Sequence, residues 1–469
     1  MEARGHPLRL SEATLSQIAQ GVELPRYDRA KAAIGVVHFG PGAFHRAHQA
    51  WYFDQMLAAG AGPFAVAAVS LRSGGVRAAL APQDGLYVLA TREARPSFRV
   101  IGSIKAVLTA PETPEAVFAQ LMSARLVTAT VTEKGYCLTP SGGLDLAHPD
   151  IVHDLTRPPL PVSLVGWLAQ GLARRREAGL APFLTLSCDN LSDNGGKLGR
   201  AVAAFARASG DDALADWIAA NAVFPCSMVD SITPATDDAL RAEVEAATGL
   251  ADAWPVQREG FLQWVVEDRL GDLSPAFAAA GVTLTADVAA FERAKLRLLN
   301  GAHSTLAYVG LLRGHETVAQ AMADPDLSAF VETLMTDDIA PTMGPAPDLD
   351  VPAYIAAILA RFRNLAIVHR LSQIAWDGSQ KLPVRILQTT ADALAGGRSL
   401  ERLAVPVAAW MRFIERRASE GGEIVDPLAK DLARRRGVAD FLALSTVFPQ
   451  DLAANPAWRA AVEAAYAAL

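Results

Sequence analysis

Short apolar runs alternate with helix-like spacing in the first part of the chain, which is the pattern of βαβ units. Four runs have the length and residue types of buried strands: Ile34–Phe39, Phe64–Leu71, Leu126–Thr132 and Phe183–Ser187. A fifth run, Ala222–Val229, is weaker because Pro225 cannot donate a hydrogen bond to a neighbouring strand. The pattern therefore predicts a largely parallel sheet with crossover helices.

The pattern changes near residue 286, beyond which helical spacing dominates and strand-like runs are scarce. Thr283–Asp287 marks this change, and either Thr285 or Asp287 has the side chain of a helix N-cap. The proline-rich segment Pro341–Pro347 is expected to be a loop between helices. We therefore expect an α/β domain over residues 1–285 and a mostly helical domain over residues 286–469.

Polar residues stand at the ends of the predicted strands: Arg72, Thr132, Glu133, Asp189, Asn190 and Asp230. Ligands of open parallel sheets bind outside the carboxyl ends of the strands. These residues, scattered along the chain, are therefore expected to line one crevice.

The sequence Gly40-Pro41-Gly42 follows the first predicted strand and precedes a helical pattern. Glycine allows a pyrophosphate to approach the backbone closely at the N-terminus of a helix. The third glycine of the dinucleotide-binding pattern is replaced by His45. The position after the first strand favours a dinucleotide site, and an ordinary turn is the alternative.

No acidic residue follows the second predicted strand, where a carboxylate normally accepts hydrogen bonds from the ribose of NAD. Arg72 stands there instead, and its guanidinium suits the 2′-phosphate of NADP. The alternative is that Arg72 is a solvated loop residue. The residues alone leave the choice between NAD and NADP open.

The segment Phe291–His303 carries the strongest chemical signal, because it places Lys295, Asn300 and His303 in one apolar helical stretch. At about 100° per residue, these three fall within an arc of roughly 140°. Burial lowers the pKa of a lysine, which turns it into a usable base. The alternative is a core helix with a snorkelling lysine and a satisfied histidine.

Composition narrows the class of protein. The 469 residues are 51% hydrophobic and carry a formal net charge of -7, which favours neither a nucleic acid nor an anionic membrane as partner. No apolar run is long enough to span a bilayer, and the N-terminus lacks the apolar core of a signal peptide. We expect a cytoplasmic protein.

The cysteines and histidines do not predict a metal site. Cys137, Cys188 and Cys226 lie far apart and form neither a disulfide framework nor a zinc-site pair. His45 and His48 have a spacing that can bind metal, but no third ligand is nearby in the sequence. A structural or phosphate-facing role is favoured for both histidines.

Five motifs in order resemble the polyol-specific long-chain dehydrogenase family, which includes mannitol 2-dehydrogenases and fructuronate reductases. They are Gly40–Gln49, Val131–Cys137, Ser187–Asn190, Phe224–Asp230 and the set Lys295, Asn300 and His303. The resemblance implies an α/β protein with a Rossmann-type N-terminal domain and a mostly α-helical C-terminal domain. It also implies NAD or NADP as cofactor, with NAD favoured, and no catalytic metal.

The resemblance also implies roles for individual residues. Lys295 is expected to be the general base, while Asn300 and His303 hold the reacting oxygen and stabilise its charge. Glu292 is expected to relay protons between Lys295 and solvent. Three further sets are implied: Gly40, Gly42, Phe44, Arg72, Thr132, Glu133 and Asn190 at the cofactor, Asn190 and Asp230 in the substrate pocket, and Glu133 as a second acid.

The segment His369–Pro383 resembles fructuronate reductases more than mannitol dehydrogenases, which typically carry arginine in place of Gln373. Its cations Arg370 and Lys381 suit a substrate carboxylate. Trp376 departs from the methionine that the reductases usually have. The expected reaction is the interconversion of D-fructuronate and D-mannonate.

Three other readings of the sequence stay open beside that reaction. Two are enzymatic: a mannitol 2-dehydrogenase and an arabinitol-type polyol dehydrogenase. A non-catalytic dinucleotide sensor is the alternative from a different class, and the intact set Lys295, Asn300 and His303 argues against it. A monomer is expected, as is common in the family.

Overall fold

The chain folds into two units that part between Val288 and Ala289. The computed structural model describes residues 7–157 and 159–469. The boundary expected from the sequence lies between residues 285 and 286. No helix among the described residues is long and apolar enough to cross a membrane.

The strands of the first unit form one parallel sheet and two smaller sheets. Their bounds are β1 Ile34–Phe39, β2 Ala65–Ser70, β3 Tyr87–Arg92, β4 Ser97–Ile101, β5 Ile104–Thr109, β6 Leu126–Ala129, β7 Leu184–Ser187, β8 Ser227–Asp230, β9 Val256–Glu259, β10 Gln263–Glu267 and β11 Thr283–Thr285. The main sheet has the order β5-β2-β1-β6-β7, and all of its neighbouring strands are parallel. The other two sheets have the orders β11-β10-β8 and β4-β3-β9.

The central strand β1 explains why these runs read as strands in the sequence. Val37 lies opposite Ala67 of β2 and Val127 of β6, and all three side chains are buried in one core cluster. Val36 and Val66 face the opposite way, into a second core cluster. A parallel sheet covered on both faces produces nearly continuous apolar runs, which is the pattern that predicted β1, β2, β6 and β7.

The fifth predicted strand was wrong in its bounds and in its sheet. Thr185 of β7 donates to Val223 O, so the first half of the run Ala222–Val229 lies beside the main sheet. Only Ser227–Asp230 forms a strand, β8, which pairs antiparallel with β10 in a different sheet. Pro225, which cannot donate a ladder hydrogen bond, precedes it. Asp230 therefore does not end a strand of the parallel sheet.

The first unit has ten α-helices among its described residues. They are α1 Ala43–Ala47, α2 Gln49–Ala58, α3 Gly75–Leu80, α4 Pro114–Ser123, α5 Pro149–Thr156, α6 Leu164–Glu177, α7 Asn194–Ala208, α8 Asp212–Asn221, α9 Asp238–Thr248 and α10 Ser274–Ala279.

From the unit boundary onward the described chain is helical, and its one β-bridge joins Thr317 to Arg370. The helices are α11 Val288–Ala294, α12 Gly301–Leu312, α13 Val318–Ala323, α14 Pro325–Thr333, α15 Val351–Phe362, α16 Leu371–Ile374, α17 Gly378–Leu382, α18 Gln388–Ala395, α19 Glu401–Ser419, α20 Ala429–Leu432, α21 Gly437–Leu442, α22 Gln450–Ala454 and α23 Pro456–Ala468. The mostly helical character expected for the C-terminal part of the chain is confirmed. Asp287 is the residue that precedes α11, and its backbone N–H donates to Thr285 Oγ1 at 3.0 Å.

Three segments of the second unit are π-helical: Lys295–Asn300, Leu334–Ile339 and Pro383–Leu387. The first joins α11 to α12 without a break in the helical path. The regular α-helical spacing assumed over Lys295–Asn300 was therefore wrong. In a π-helix the hydrogen bonds run from i to i+5, so Lys295 and Asn300 stand one turn apart.

Candidate active site

The glycine turn after β1 leaves open space above the backbone. Gly40 has φ +87°, and a Cβ there would lie 2.2 Å from Thr130 O, so only glycine fits. At Gly42 a Cβ would meet only Gly40 O, at 3.9 Å. Gly42 is exposed and is the N-cap residue of α1. The turn therefore offers backbone that a phosphate group can approach closely.

The histidines beside this turn are buried in the protein. His45 replaces the third glycine, and its ring stacks on that of His38 with centroids 3.3 Å apart. Both are fully buried. His48 is buried as well, and its Nε2 lies 2.8 Å from Gln263 O. The neighbouring Arg46 is also buried and donates to Trp254 O at 2.5 Å. These contacts give the motif Gly40–Gln49 a structural role beside the turn.

The buried imidazoles predict a loss of stability in weak acid. Burial lowers the pKa of His38 to about 3 and that of His45 well below its ordinary value, with the His38 charge as the next cause at His45. Below pH 6.5 these histidines bind protons in the unfolded chain but not in the folded protein. The free energy of unfolding therefore decreases as the pH is lowered. Each imidazole should cost about 1.4 kcal/mol in unfolding free energy between pH 7.5 and 5.5.

Urea unfolding at the two pH values measures this change. His45→Gln should reduce the difference by about 1.4 kcal/mol, since glutamine does not titrate. A free energy of unfolding that stays level or rises toward pH 5.5 would show that these imidazoles are charged in the folded protein.

The carboxyl ends of β6 and β7 are joined by one carboxylate. Asp189 accepts hydrogen bonds from the backbone N–H groups of Val131 and Thr132, each at 2.9 Å, and from the Tyr136 hydroxyl at 2.7 Å. Thr132 and Glu133 are exposed at this edge. Asn190, the next residue after Asp189, is exposed too. The structure thus brings the predicted residues of these two strands to one edge.

Asn194 connects the end of β7 to the start of β8. Its side chain is fully buried and donates to Ser227 O at 2.7 Å and to Asp189 O at 3.2 Å. Its Oδ1 accepts from Ser227 N at 3.0 Å. The start of β8 is therefore the part fixed beside β7, while Asp230 stands at the far end of β8 and is 5% exposed. The crevice expected at the carboxyl ends of parallel strands is formed by the ends of β6 and β7. Asp230 ends a strand of a different sheet, so the topology alone does not place it in that crevice.

Arg72, after β2, is held by an acid that is distant in sequence. Its guanidinium lies 2.5 Å from Asp150 Oδ2, with exposed side-chain fractions of 70% and 19% respectively. Asp150 also lies near Cys137 and His148, the one group of potential metal ligands among the described residues. Burial raises the pKa of Cys137 to about 12, and His148 Nδ1 accepts from Asp150 N. A protonated thiol and an occupied carboxylate are unfavourable for a metal ion.

The predicted catalytic residues lie on the helical path that begins at α11. Glu292 lies in α11, Lys295 and Asn300 begin and end the π-helical segment, and His303 lies in the first turn of α12. The side chains of Glu292, Lys295 and Asn300 are half-buried, and His303 is 8% exposed. π-Helical turns are found frequently at functional sites.

His303 is buried among aromatic rings and positive charges. Its ring lies 4.5 Å from that of Phe362 and 4.9 Å from that of His369. Burial, and then the charges of His369, Arg361 and Arg385, hold the pKa of His303 well below its ordinary value. Its Nε2 is buried and has no hydrogen-bond partner among the described residues. A neutral imidazole with an unused nitrogen is suited to a ligand oxygen.

Arg385 is a functional candidate that the sequence analysis missed. Its guanidinium lies 3.1 Å from Ser304 Oγ and 3.4 Å from Asn300 O. Burial lowers the pKa of Arg385 and also that of Lys381, four residues earlier. A helical i,i+4 pair of cations was the signal in the sequence. The charge of Arg361 lowers the pKa of both His303 and His369, but no pattern in the sequence marked this arginine.

The segment His369–Pro383 has more helical structure than the polar loop that was the alternative. It contains the short helices α16 and α17, and a Cβ at Gly378 would lie 2.3 Å from Trp410 Nε1. Within this segment Arg370 is exposed, whereas Lys381 is half-buried and donates to Ile374 O at 3.2 Å. The two predicted carboxylate-binding cations therefore differ in their exposure to solvent.

A parallel sheet with a glycine turn after its first strand is the architecture of Rossmann-type dinucleotide-binding domains. Residues 34–277 match the mannitol dehydrogenase Rossmann domain, and residues 287–469 match the mannitol dehydrogenase C-terminal domain. The chain therefore belongs to the mannitol dehydrogenase family, whose members are oxidoreductases that act on CH–OH groups.

Its relatives carry different substrate names. The chain is 39% identical over 463 residues to D-mannonate oxidoreductase of Escherichia coli, covering 95% of each protein. It is 38% identical over 470 residues to mannitol 2-dehydrogenase of Aspergillus fumigatus, covering 95% of this chain and 93% of that protein. The structure of Pseudomonas fluorescens mannitol 2-dehydrogenase with NAD and D-mannitol matches 98% of this chain and 97% of its own, with 37% identity and a TM-score of 0.81.

Proposed function

We propose that this protein is an NAD-dependent dehydrogenase that interconverts a secondary alcohol and a ketone on a sugar acid, with D-fructuronate and D-mannonate as its pair. The observation that carries the choice of substrate is the positive charge around His303. The charges of Arg361 and Arg385 both lower the pKa of this buried imidazole. An anionic substrate gains from such surroundings, whereas a neutral polyol does not.

The first unit fits a dinucleotide. The open space above Gly42 is a cradle that a Cβ would fill, and the similar Pseudomonas fluorescens enzyme binds NAD. Gly40, Gly42, Phe44, Thr132, Glu133 and Asn190 are the residues proposed to hold it. NAD supplies a carbon that accepts hydride from the alcohol.

The second unit supplies the acid–base chemistry. Lys295 takes the alcohol proton during oxidation and returns it to the oxygen during reduction. Asn300 and His303 donate hydrogen bonds to that oxygen and stabilise its negative charge. The low pKa of His303 keeps its imidazole neutral, so it does not compete with Lys295 for the proton. Glu292 carries the proton between Lys295 and solvent, and Asp230 of β8 orients the substrate hydroxyls.

A mannitol 2-dehydrogenase is the second candidate. The observation in its favour is that the identity to the Aspergillus fumigatus enzyme, 38%, equals that to the mannonate enzyme within one percentage point. Overall similarity therefore does not decide the substrate. The difference lies in whether Lys381, Arg370 or Arg385 has a carboxylate to bind.

The Arg72–Asp150 pair predicts a preference for NAD over NADP. The guanidinium of Arg72 already forms an ion pair with Asp150, and the negative charge of Asp150 repels a 2′-phosphate. Asp150→Asn should raise kcat/KM with NADPH roughly two- to fivefold, since Arg72 is largely exposed and solvent screens its charge. Arg72→Ala combined with Asp150→Asn should abolish this gain. A wild-type protein that strongly prefers NADPH would contradict the assignment of NAD.

Steady-state oxidation of NADH tests the proposed substrate. D-Fructuronate, D-fructose and a neutral pentulose are compared at equal concentration, with NADH and with NADPH. The expected result is the highest kcat/KM for D-fructuronate with NADH. Efficient oxidation of mannitol or arabinitol without turnover of D-mannonate would favour the second candidate. Binding of NADH without turnover of any sugar would favour the non-catalytic dinucleotide sensor.

A further inference from the structure

The backbone at Thr132 is held in a conformation that its side chain disfavours. Thr132 has φ +66° and ψ 162°. This region is adopted almost only by glycine, and a β-branched side chain makes it still less favourable. The residue lies between the end of β6 and the short 3₁₀ helix Glu133–Tyr136. Such a conformation persists only where surrounding contacts impose it.

The contacts that impose it come from Asp189, at the end of β7. Its two oxygens each accept one backbone N–H, Oδ2 from Val131 and Oδ1 from Thr132, both at 2.9 Å. Oδ2 also accepts from the Tyr136 hydroxyl at 2.7 Å. The residues on both sides of Glu133 are therefore bound to one carboxylate.

The carboxylate must be ionised to accept all three bonds. In a protonated acid or an amide, one of the two oxygens is replaced by a hydrogen-bond donor. Because each oxygen of Asp189 accepts from a backbone N–H, that donor would face the N–H of Val131 or Thr132. Burial raises the pKa of Asp189 although the three hydrogen bonds oppose this shift. The hydroxyl of Tyr136 also lies 2.5 Å from Ser187 Oγ, which fixes the tyrosine against β7.

We propose that Asp189 is a positioning residue of the enzyme: it holds Thr132 in its positive-φ conformation and so directs Thr132 and Glu133 toward the cofactor and substrate. The inference rests on the proposed function for the roles of Thr132 and Glu133. Asp189 itself touches neither ligand in this scheme. Without its two amide contacts, Thr132 returns to an extended conformation and the following turn rotates away.

Asp189→Asn tests this role, because it keeps the size of the side chain and removes one acceptor. Losing a charge-assisted hydrogen bond should lower kcat/KM roughly tenfold or more. Thr132→Gly should rescue the Asp189→Asn variant, since glycine adopts the same backbone angles without strain. Thr132→Ala is the matched control, because alanine also disfavours a positive φ and should not rescue.

Each variant is assayed for kcat, KM, NADH affinity by fluorescence and melting temperature. The expected result is that glycine, and not alanine, restores kcat/KM of Asp189→Asn to within about threefold of Thr132→Gly alone. Equal recovery with both, or recovery of the melting temperature without recovery of kcat/KM, would overturn the positioning role. If no sugar is turned over, the same comparison made on NADH affinity still decides the role of Asp189.

Discussion

Replacement of Lys295 by alanine is expected to lower turnover by about 10²–10⁴-fold, which is the usual contribution of a general acid or base. NADH affinity should stay nearly unchanged, because the glycine turn after β1 is untouched. Lys295 is half-buried at the first residue of a π-helical turn, one turn before Asn300. Steady-state kinetics with D-fructuronate and fluorescence titration of NADH provide the two measurements.

Two controls separate loss of the base from loss of structure. Lys295→Arg keeps the positive charge, but a guanidinium does not release its proton, so this variant should be as slow as Lys295→Ala. Small primary amines added to Lys295→Ala should restore part of the turnover by acting as the missing base. Near-full activity of either variant with a good substrate would show that Lys295 is not the base.

The second large effect is expected at Lys381. Lys381→Gln should lower kcat/KM for D-fructuronate by roughly 10- to 200-fold, because a charge-assisted hydrogen bond to the substrate carboxylate is lost. The same variant should change kcat/KM for D-fructose less than about threefold, since fructose has no carboxylate. The half-buried position of Lys381 makes its charge less screened than that of a surface lysine.

Arg370→Gln is the comparison for Lys381→Gln. Arg370 is exposed, so solvent screens its charge and a smaller loss with D-fructuronate is expected. An equal loss with D-fructuronate and D-fructose in Lys381→Gln would contradict carboxylate binding. In that case Lys381 would act on groups that both sugars share.

The sequence predicted the parts of the fold that depend on local pattern. Strands β1, β2, β6 and β7 are buried on both faces, so each reads as a continuous apolar run. Strand β5 was missed because it lies at the edge of the sheet, where Lys105 and Ala106 are only partly buried. Strand β8 was misassigned because its partner β10 lies more than thirty residues further along the chain.

The residues proposed for the site follow from the sequence, whereas their contacts do not. Lys295, Asn300 and His303 stand out as polar groups in an apolar stretch, but apolar spacing does not separate a π-helical turn from an α-helical one. The cations around His303 come from Arg361 and Arg385, which are far apart in sequence. Asp189 was recognised in the sequence as a polar residue after β7. Its hydrogen bond with the backbone N–H of Thr132 depends on the pairing of β7 with β6, which the sequence does not show.

The most direct measurement of the proposed reaction follows the hydride itself. NADH carrying deuterium at the transferable position is incubated with the protein and D-fructuronate, and the product is analysed by NMR. The expected result is D-mannonate with one deuterium on the carbon that was the ketone. If NADH binds but neither D-fructuronate nor D-fructose acquires deuterium, the protein does not catalyse this hydride transfer.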